Sequence, residues 1–141
     1  MNLKQVQLHV IGWGSLLCVM LGASIYSSWQ RKKYRQSILE SPVFASGQFL
    51  ELKNLGKASN YTLTGFYSFT VNYETHGGQI TDKRFKKIQA LMFKKRFPVI
   101  YNSNDPTKNS ILVFPDDFSN FNLPYPDSLT WVKALIDEKD N

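Results

Sequence analysis

The stretch Thr62–Thr75 reads TLTGFYSFTVNYET. Within it Tyr67, Phe69, Val71 and Tyr73 alternate with Ser68, Thr70, Asn72 and Glu74. Side chains on a strand point to opposite faces in turn, so this period of two predicts a strand with one face buried. The aromatic and β-branched residues suit a pleated, half-covered surface. His76-Gly77-Gly78 follows at once, three residues that tolerate the positive φ of a tight hairpin. The reading is a strand over 62–75, a turn at 76–78 and a returning strand over Gln79–Phe85.

Further along, Lys86–Arg96 holds Ile88, Leu91, Met92 and Phe93 among five basic residues. The spacing of Ile88, Leu91 and Met92 is helical, but an irregular strand fits too, and both stay open. Phe97–Tyr101 (FPVIY) predicts a strand with a proline near its start, where a missing donor is tolerable. Asn102–Asn109 (NSNDPTKN) predicts a turn, and Ser110–Phe114 (SILVF) the last strand. After Pro126, Asp127 or Ser128 can cap a helix on which Leu129, Val132, Leu135 and Ile136 share a face, with Trp131 beside it. That face calls for the open side of the β-domain as its partner. Upstream, Phe49, Leu50 and Leu52 suggest a strand over Val43–Lys53, and the polar stretch Asn54–Tyr61 a loop.

The N-terminal part has another character. Leu8–Trp29 is an apolar run of 22 residues without Asp, Glu, Lys or Arg. A helix rises about 1.5 Å per residue, so about 20 residues cross a hydrocarbon core of about 30 Å. Trp13, Tyr26 and Trp29 lie near its ends, where amphipathic aromatics settle at headgroups. Arg31, Lys32, Lys33 and Arg35 follow within six positions. The competing reading is a signal peptide cleaved around Ala23-Ser24; the length of the run and its basic, stop-transfer-like flank favour an uncleaved span. Four basic residues after the run against Lys4 before it orient residues 30–141 toward the cytoplasm. The expected organisation is a tail at 1–7, a transmembrane helix at 8–29 and a basic helical extension at 30–41. An antiparallel β-domain at 42–115 follows, then a C-terminal turn and helix at 116–141 packed on it.

Composition narrows the function classes. Ten Phe and seven Tyr suit a compact β-rich core, not a disordered tail. The lone cysteine, Cys18, lies in the run, so the domain has no disulfide. Residues 1–108 carry 15 basic and 5 acidic residues, and residues 109–141 carry 2 and 6. For a tethered domain, such a basic balance suits anionic lipid headgroups near Arg31, Lys32, Lys33 and Arg35. Nucleic acid would need a recognition motif, and none occurs. His9 and His76 lack partners at ligand-like spacing, which argues against a metal site. Asp116-Asp117 reads as turn and cap residues before Phe118. No phosphate loop, nucleophile elbow or HExxH is present, so no catalytic residue, metal or cofactor is assigned. Asn60-Tyr61-Thr62 matches a glycosylation sequon, of consequence only in a eukaryotic lumen.

Several short motifs also resemble a known family. They are Gly47-Gln48-Phe49, the run Phe66–Tyr73 (FYSFTVNY), Phe97–Tyr101, Asn104-Asp105-Pro106 and Asn109–Leu112. Together, over residues 43–114, they resemble the bacterial domain-of-unknown-function family 3592. The resemblance implies a compact β-barrel-like domain beside one or two membrane spans, in a bacterial inner membrane, and implies no activity. This chain departs from the family in having one span and in having Ser103 where a first proline is common.

The expected fold class is therefore α+β: an N-terminal transmembrane helix, a small antiparallel β-barrel-like or β-sandwich domain and a C-terminal helix. The expected function is that of a non-enzymatic single-span protein, an accessory or assembly subunit binding a membrane or soluble protein at the bilayer surface. Two alternatives stand beside it. One is a ligand sensor or enzyme whose site forms only in the fold, which a deep polar pocket would favour; the other is a toxin-neutralising immunity protein.

Overall fold

In the computed structural model, residues 22–55 and 62–138 are described. They divide into two units, one ending at Gln36 and one beginning at Ser37. A helix, α1, runs over residues 22–39. It stops just before Pro42, whose ring disfavours helical backbone in the residue before it. Among the described residues no helix is long and apolar enough to cross a membrane. Residues 8–21 of the predicted span lie outside the described residues.

The second unit is α+β. Five strands, β1 (Pro42–Lys53), β2 (Leu63–Val71), β3 (Glu74–Asp82), β4 (Phe97–Asn102) and β5 (Asp105–Ile111), form one sheet in the order β3-β2-β1-β4-β5. Every pairing is antiparallel. The sheet curls into a nearly closed barrel, with β3 and β5 brought together at its outer edges. Helix α2 (Phe85–Met92) occupies the crossing from β3 to β4, and Phe85, Ile88 and Met92 are its buried face. The ambiguous Lys86–Arg96 is thus helical in its first half, because that is how one segment can bury residues three and four apart. Helix α3 (Pro115–Ser119), a 3-10 turn (Asp127–Leu129) and α4 (Thr130–Asp137) complete the fold.

The core is aromatic. Phe49 meets Tyr67, Phe85 and Phe97 edge-on at 6.1, 5.5 and 5.4 Å between ring centres. Such pairs add about 0.5–1.5 kcal/mol each beyond the area they bury. On β1 the register slips between Phe49 and Glu51, so Leu50 bulges outward and stays exposed while Leu52 returns to the inner face. This bulge reconciles three apolar residues at 49, 50 and 52 with one buried face. The predicted stripe of the last helix also packs inward: Leu129 and Val132 are buried, and Leu135, Ile136 and Trp131 lie against the core. Trp131 reaches Phe97 at 6.1 Å.

Four local expectations are corrected. The hairpin turns at Asn72-Tyr73, not at His76-Gly77-Gly78: Val71 pairs with Glu74, and Asn72 and Tyr73 take φ of 50° and 69°. The two glycines serve the strand instead. Tyr67 sits opposite Gly78, and a Cβ on Gly78 would lie 2.5 Å from its hydroxyl oxygen, so the bare backbone makes room for the ring. The predicted turn over 102–109 shrinks to Ser103-Asn104, because Asp105 already pairs with Asn102 and a slip in register absorbs Pro106, Thr107 and Lys108. The last strand ends at Ile111, where Asp117 captures the N–H groups of Val113 and Phe114 at 3.0 and 2.8 Å. Finally, neither Asp127 nor Ser128 caps the last helix through its side chain; the Thr130 hydroxyl donates back to the Asp127 carbonyl at 2.9 Å.

Candidate functional site

Two regions invite a functional reading. The first is α1. The predicted lipid-facing residues Arg31, Lys32, Lys33 and Arg35 all stand on it; the first three are exposed and Arg35 is half-buried. Successive residues on a helix turn by about 100°, so these four do not share one face. Arg31 and Arg35 align one turn apart, Lys32 stands about 60° beyond Arg35 and Lys33 about 100° further on, so the four span about 200° of the helix. The helix therefore carries its charge over a broad arc, wider than a single stripe. One to two turns toward its N-terminus, Ile25, Tyr26 and Trp29 are 70%, 61% and 54% exposed. The Tyr26 and Trp29 rings touch at 6.4 Å, Gln30 donates to the Tyr26 hydroxyl at 2.7 Å, and the Lys33 ammonium lies 5.3 Å above the Trp29 ring.

The second region is a notch in the β-domain. β1 and β2 pair only from Gly47↔Phe69 to Lys53↔Thr64. Beyond Gly47 toward its start, β1 runs on to Pro42 and pairs only with β4. β2 runs on to Val71 and pairs only with β3. The two strands splay, and the gap encloses roughly 610 Å³, open on one side. Phe44, Ala45, Ser46 and Gln48 form one wall and Ser68 to Asn72 the other, with Tyr101 and Arg96 alongside. The Phe69 and Tyr101 rings, both in its lining, meet tilted at 5.5 Å between centres. The amide of Gln48 ties β1 to the Phe93 carbonyl at 3.2 Å, which holds the basic loop Lys94-Lys95-Arg96 at the rim. The lining contains no carboxylate, imidazole or thiol.

The remaining polar clusters are used structurally. The Arg84 guanidinium bonds to both carboxylate oxygens of Asp82 and both of Asp116, and it stacks 3.9 Å over Phe114. Those hydrogen bonds, to Asp82 first, raise its pKa further. In return Arg84 holds the Asp116 carboxyl below its usual value. Asp117 is the reverse case: burial pushes its pKa up, partly countered by the two N–H groups it accepts. The Tyr125 hydroxyl, donating to the Val113 and Leu129 carbonyls at 3.2 and 2.8 Å, is pushed up to about 12 chiefly by burial. Asn109, buried on β5, accepts from the Tyr67 hydroxyl at 2.7 Å and donates to the Pro106 carbonyl at 2.8 Å. Its amide also reaches the Gly77 carbonyl at 3.5 Å, stitching β5 to β3. His76 lies within β3, beside Phe69 and 3.8 Å from Glu74. Among the described residues no His, Cys, Asp or Glu cluster could hold a metal ion. His9 and Cys18 lie outside the described residues.

No protein-family model, curated protein or solved structure matches this chain. Reading residues in order missed the notch entirely. Its only local sign is an unbroken strand pattern from 43 to 53 facing a partner strand whose hairpin closes four residues earlier than the glycines suggest.

Proposed function

We propose that this chain is a non-enzymatic, single-span membrane protein of the architecture that family 3592 suggests. Its β-domain stands at the cytoplasmic face of the bilayer and binds another protein, as an accessory or assembly subunit. The observation that carries the reading is the bare helix. Among the described residues, every residue of α1 from Gly22 to Tyr34 is exposed, Ile25, Tyr26 and Trp29 included. Apolar side chains left in water forgo roughly 1.5–3 kcal/mol each that burial would supply. Lipid supplies that burial if the apolar run 8–29 spans, with Tyr26 and Trp29 at the headgroups. Arg31, Lys32, Lys33 and Arg35, which follow the apolar run directly, then lie beside the lipid surface, where each basic residue gains about 1 kcal/mol from anionic headgroups.

The binding half of the reading is supported by the notch and the apolar residues around it. Val43, Phe44, Leu50 and Phe93 remain exposed beside or along β1. Side chains able to take up or release a proton near neutrality are missing from the notch lining, which suits binding more than bond-making. The experiment is alkaline carbonate extraction of membranes carrying the full chain, followed by affinity purification after detergent solubilisation. The chain should stay in the membrane pellet and return a stoichiometric protein partner. Release into the alkaline supernatant overturns the anchor.

A further inference from the structure

We infer that the splay between β1 and β2 is a strand-accepting notch for an extended, acidic segment of the partner protein. The inference deepens the protein-binding reading by naming the partner's chemistry at one site. Where β1 leaves β2, residues 42–46 keep their extended form because β4 holds them from the other side. In an antiparallel sheet the backbone N–H and C=O groups of alternate residues point to each flank. Among the described residues, the flank of β1 that faces β2 after Gly47 therefore offers unpaired ladder positions along Val43 to Ser46, the template that an added strand uses. Pro42 lacks an N–H and marks where such a ladder ends. The gap has room for a chain because Thr70 and Val71 diverge with β3. A five-residue extended segment spans about 16 Å, the reach of β1 from Pro42 to Ser46.

Side chains set the occupant's character. Phe44 stands exposed on one wall, and Phe69 and Tyr101 line the gap, so an apolar side chain is accepted at alternate positions. The charge is of one sign. Arg96 lines the notch, Lys94 and Lys95 adjoin it, and the lining holds no acid to balance them. None of the three takes part in an ion pair among the described residues. An extended segment with a Glu or Asp placed to meet Arg96, between β-branched or aromatic residues, satisfies the ladder, the lining and the rim together.

The test uses the full chain in phosphatidylcholine nanodiscs and a displayed library of random dodecapeptides. Enriched peptides should carry an acidic residue among β-branched or aromatic ones. Arg96→Glu should weaken them about tenfold, a charge reversal at a contacting pair. N-methylation of alternate peptide residues should abolish binding in one register and leave it within about twofold in the other, since only one set of N–H groups joins the ladder. No enrichment, selected peptides indifferent to Arg96→Glu, or equal effects of both methylation registers overturns the notch. So does displacement of the peptides by phosphatidylglycerol vesicles, which makes the basic rim a lipid face. A partner from the affinity purification that cross-links elsewhere would remove the notch while leaving the protein-binding reading standing.

Discussion

Replacing Gly78 with alanine probes the closure of the barrel. The new Cβ would lie 2.5 Å from the Tyr67 hydroxyl oxygen, 2.7 Å from its ring carbon and 3.0 Å from Asn109 Oδ1. Ordinary carbon contacts lie near 3.5–4.0 Å, so the ring must move by about 1 Å. Tyr67 is 4% exposed and wedged against Phe49, so it cannot move without disturbing the core. Overpacking of this kind costs about 1–3 kcal/mol. The displaced hydroxyl loses its bond to Asn109, and an unsatisfied buried polar group costs a further 1–3 kcal/mol or so. The lower conformational freedom of alanine in the unfolded chain offsets about 0.4–1 kcal/mol. The expected net loss is about 2–4 kcal/mol, measured by urea unfolding of residues 37–141, the unit that holds the buried core. For a domain near this size each kcal/mol moves the melting temperature by about 4–8 °C. In a Tyr67→Phe background the hydroxyl is gone, and the penalty of Gly78→Ala should fall by about 1 kcal/mol or more. A loss below about 0.5 kcal/mol, or the same penalty in both backgrounds, would show that Gly78 is not there to admit the Tyr67 hydroxyl.

Tyr73→Gly should stabilise the domain by about 0.5–1 kcal/mol in the same assay, because φ of 69° strains a bulky residue and Asn-Gly is the preferred pair for this turn. Tyr73 is fully exposed, so no packing is lost. Leu129→Ala should cost about 2–5 kcal/mol as a buried truncation, whereas Lys133→Ala on the exposed face of α4 should stay within about 0.5 kcal/mol. The two neighbouring aspartates should respond to pH in opposite senses. The folded pKa of Asp116 is depressed below 3.8 by Arg84, so its contribution is present above that value and lost as pH falls through the folded pKa. Asp116→Asn should therefore be less stable than the wild type at pH 6, with the gap closing in acid. The folded pKa of Asp117 is raised above 3.8 by burial, so the wild type loses stability as pH rises from 3.8 through the folded value. Asp117→Asn keeps an oxygen for the Val113 and Phe114 N–H groups, and its stability relative to wild type should climb over that window in pH-dependent melts.

Much of the fold was legible residue by residue, and the reason is periodicity. Alternation from Tyr67 to Val71 marks a half-buried strand whatever its neighbours, and the run FPVIY marks a strand, which the fold then buries along nearly its whole length. The stripe Leu129, Val132, Leu135, Ile136 required a surface to lie on, and the core is that surface. The apolar run 8–29 and its basic flank are likewise properties of the chain itself.

Contacts between distant residues decided the rest. His76-Gly77-Gly78 looks like a turn because glycine admits positive φ, but glycine also admits a neighbouring side chain, and only the position of Tyr67 across the sheet selects between these uses. Asn109 looks like a turn residue because asparagine bonds to nearby backbone. Its burial between Tyr67 and the Pro106 carbonyl makes it a closure point instead. Whether Lys86–Arg96 coils or extends was settled by the places waiting for Phe85, Ile88 and Met92. The notch could not be read from either strand alone, since it is the difference between where β1 and β2 end and where their pairing ends. Side-chain pattern is a property of the chain, and strand register is a property of the whole sheet.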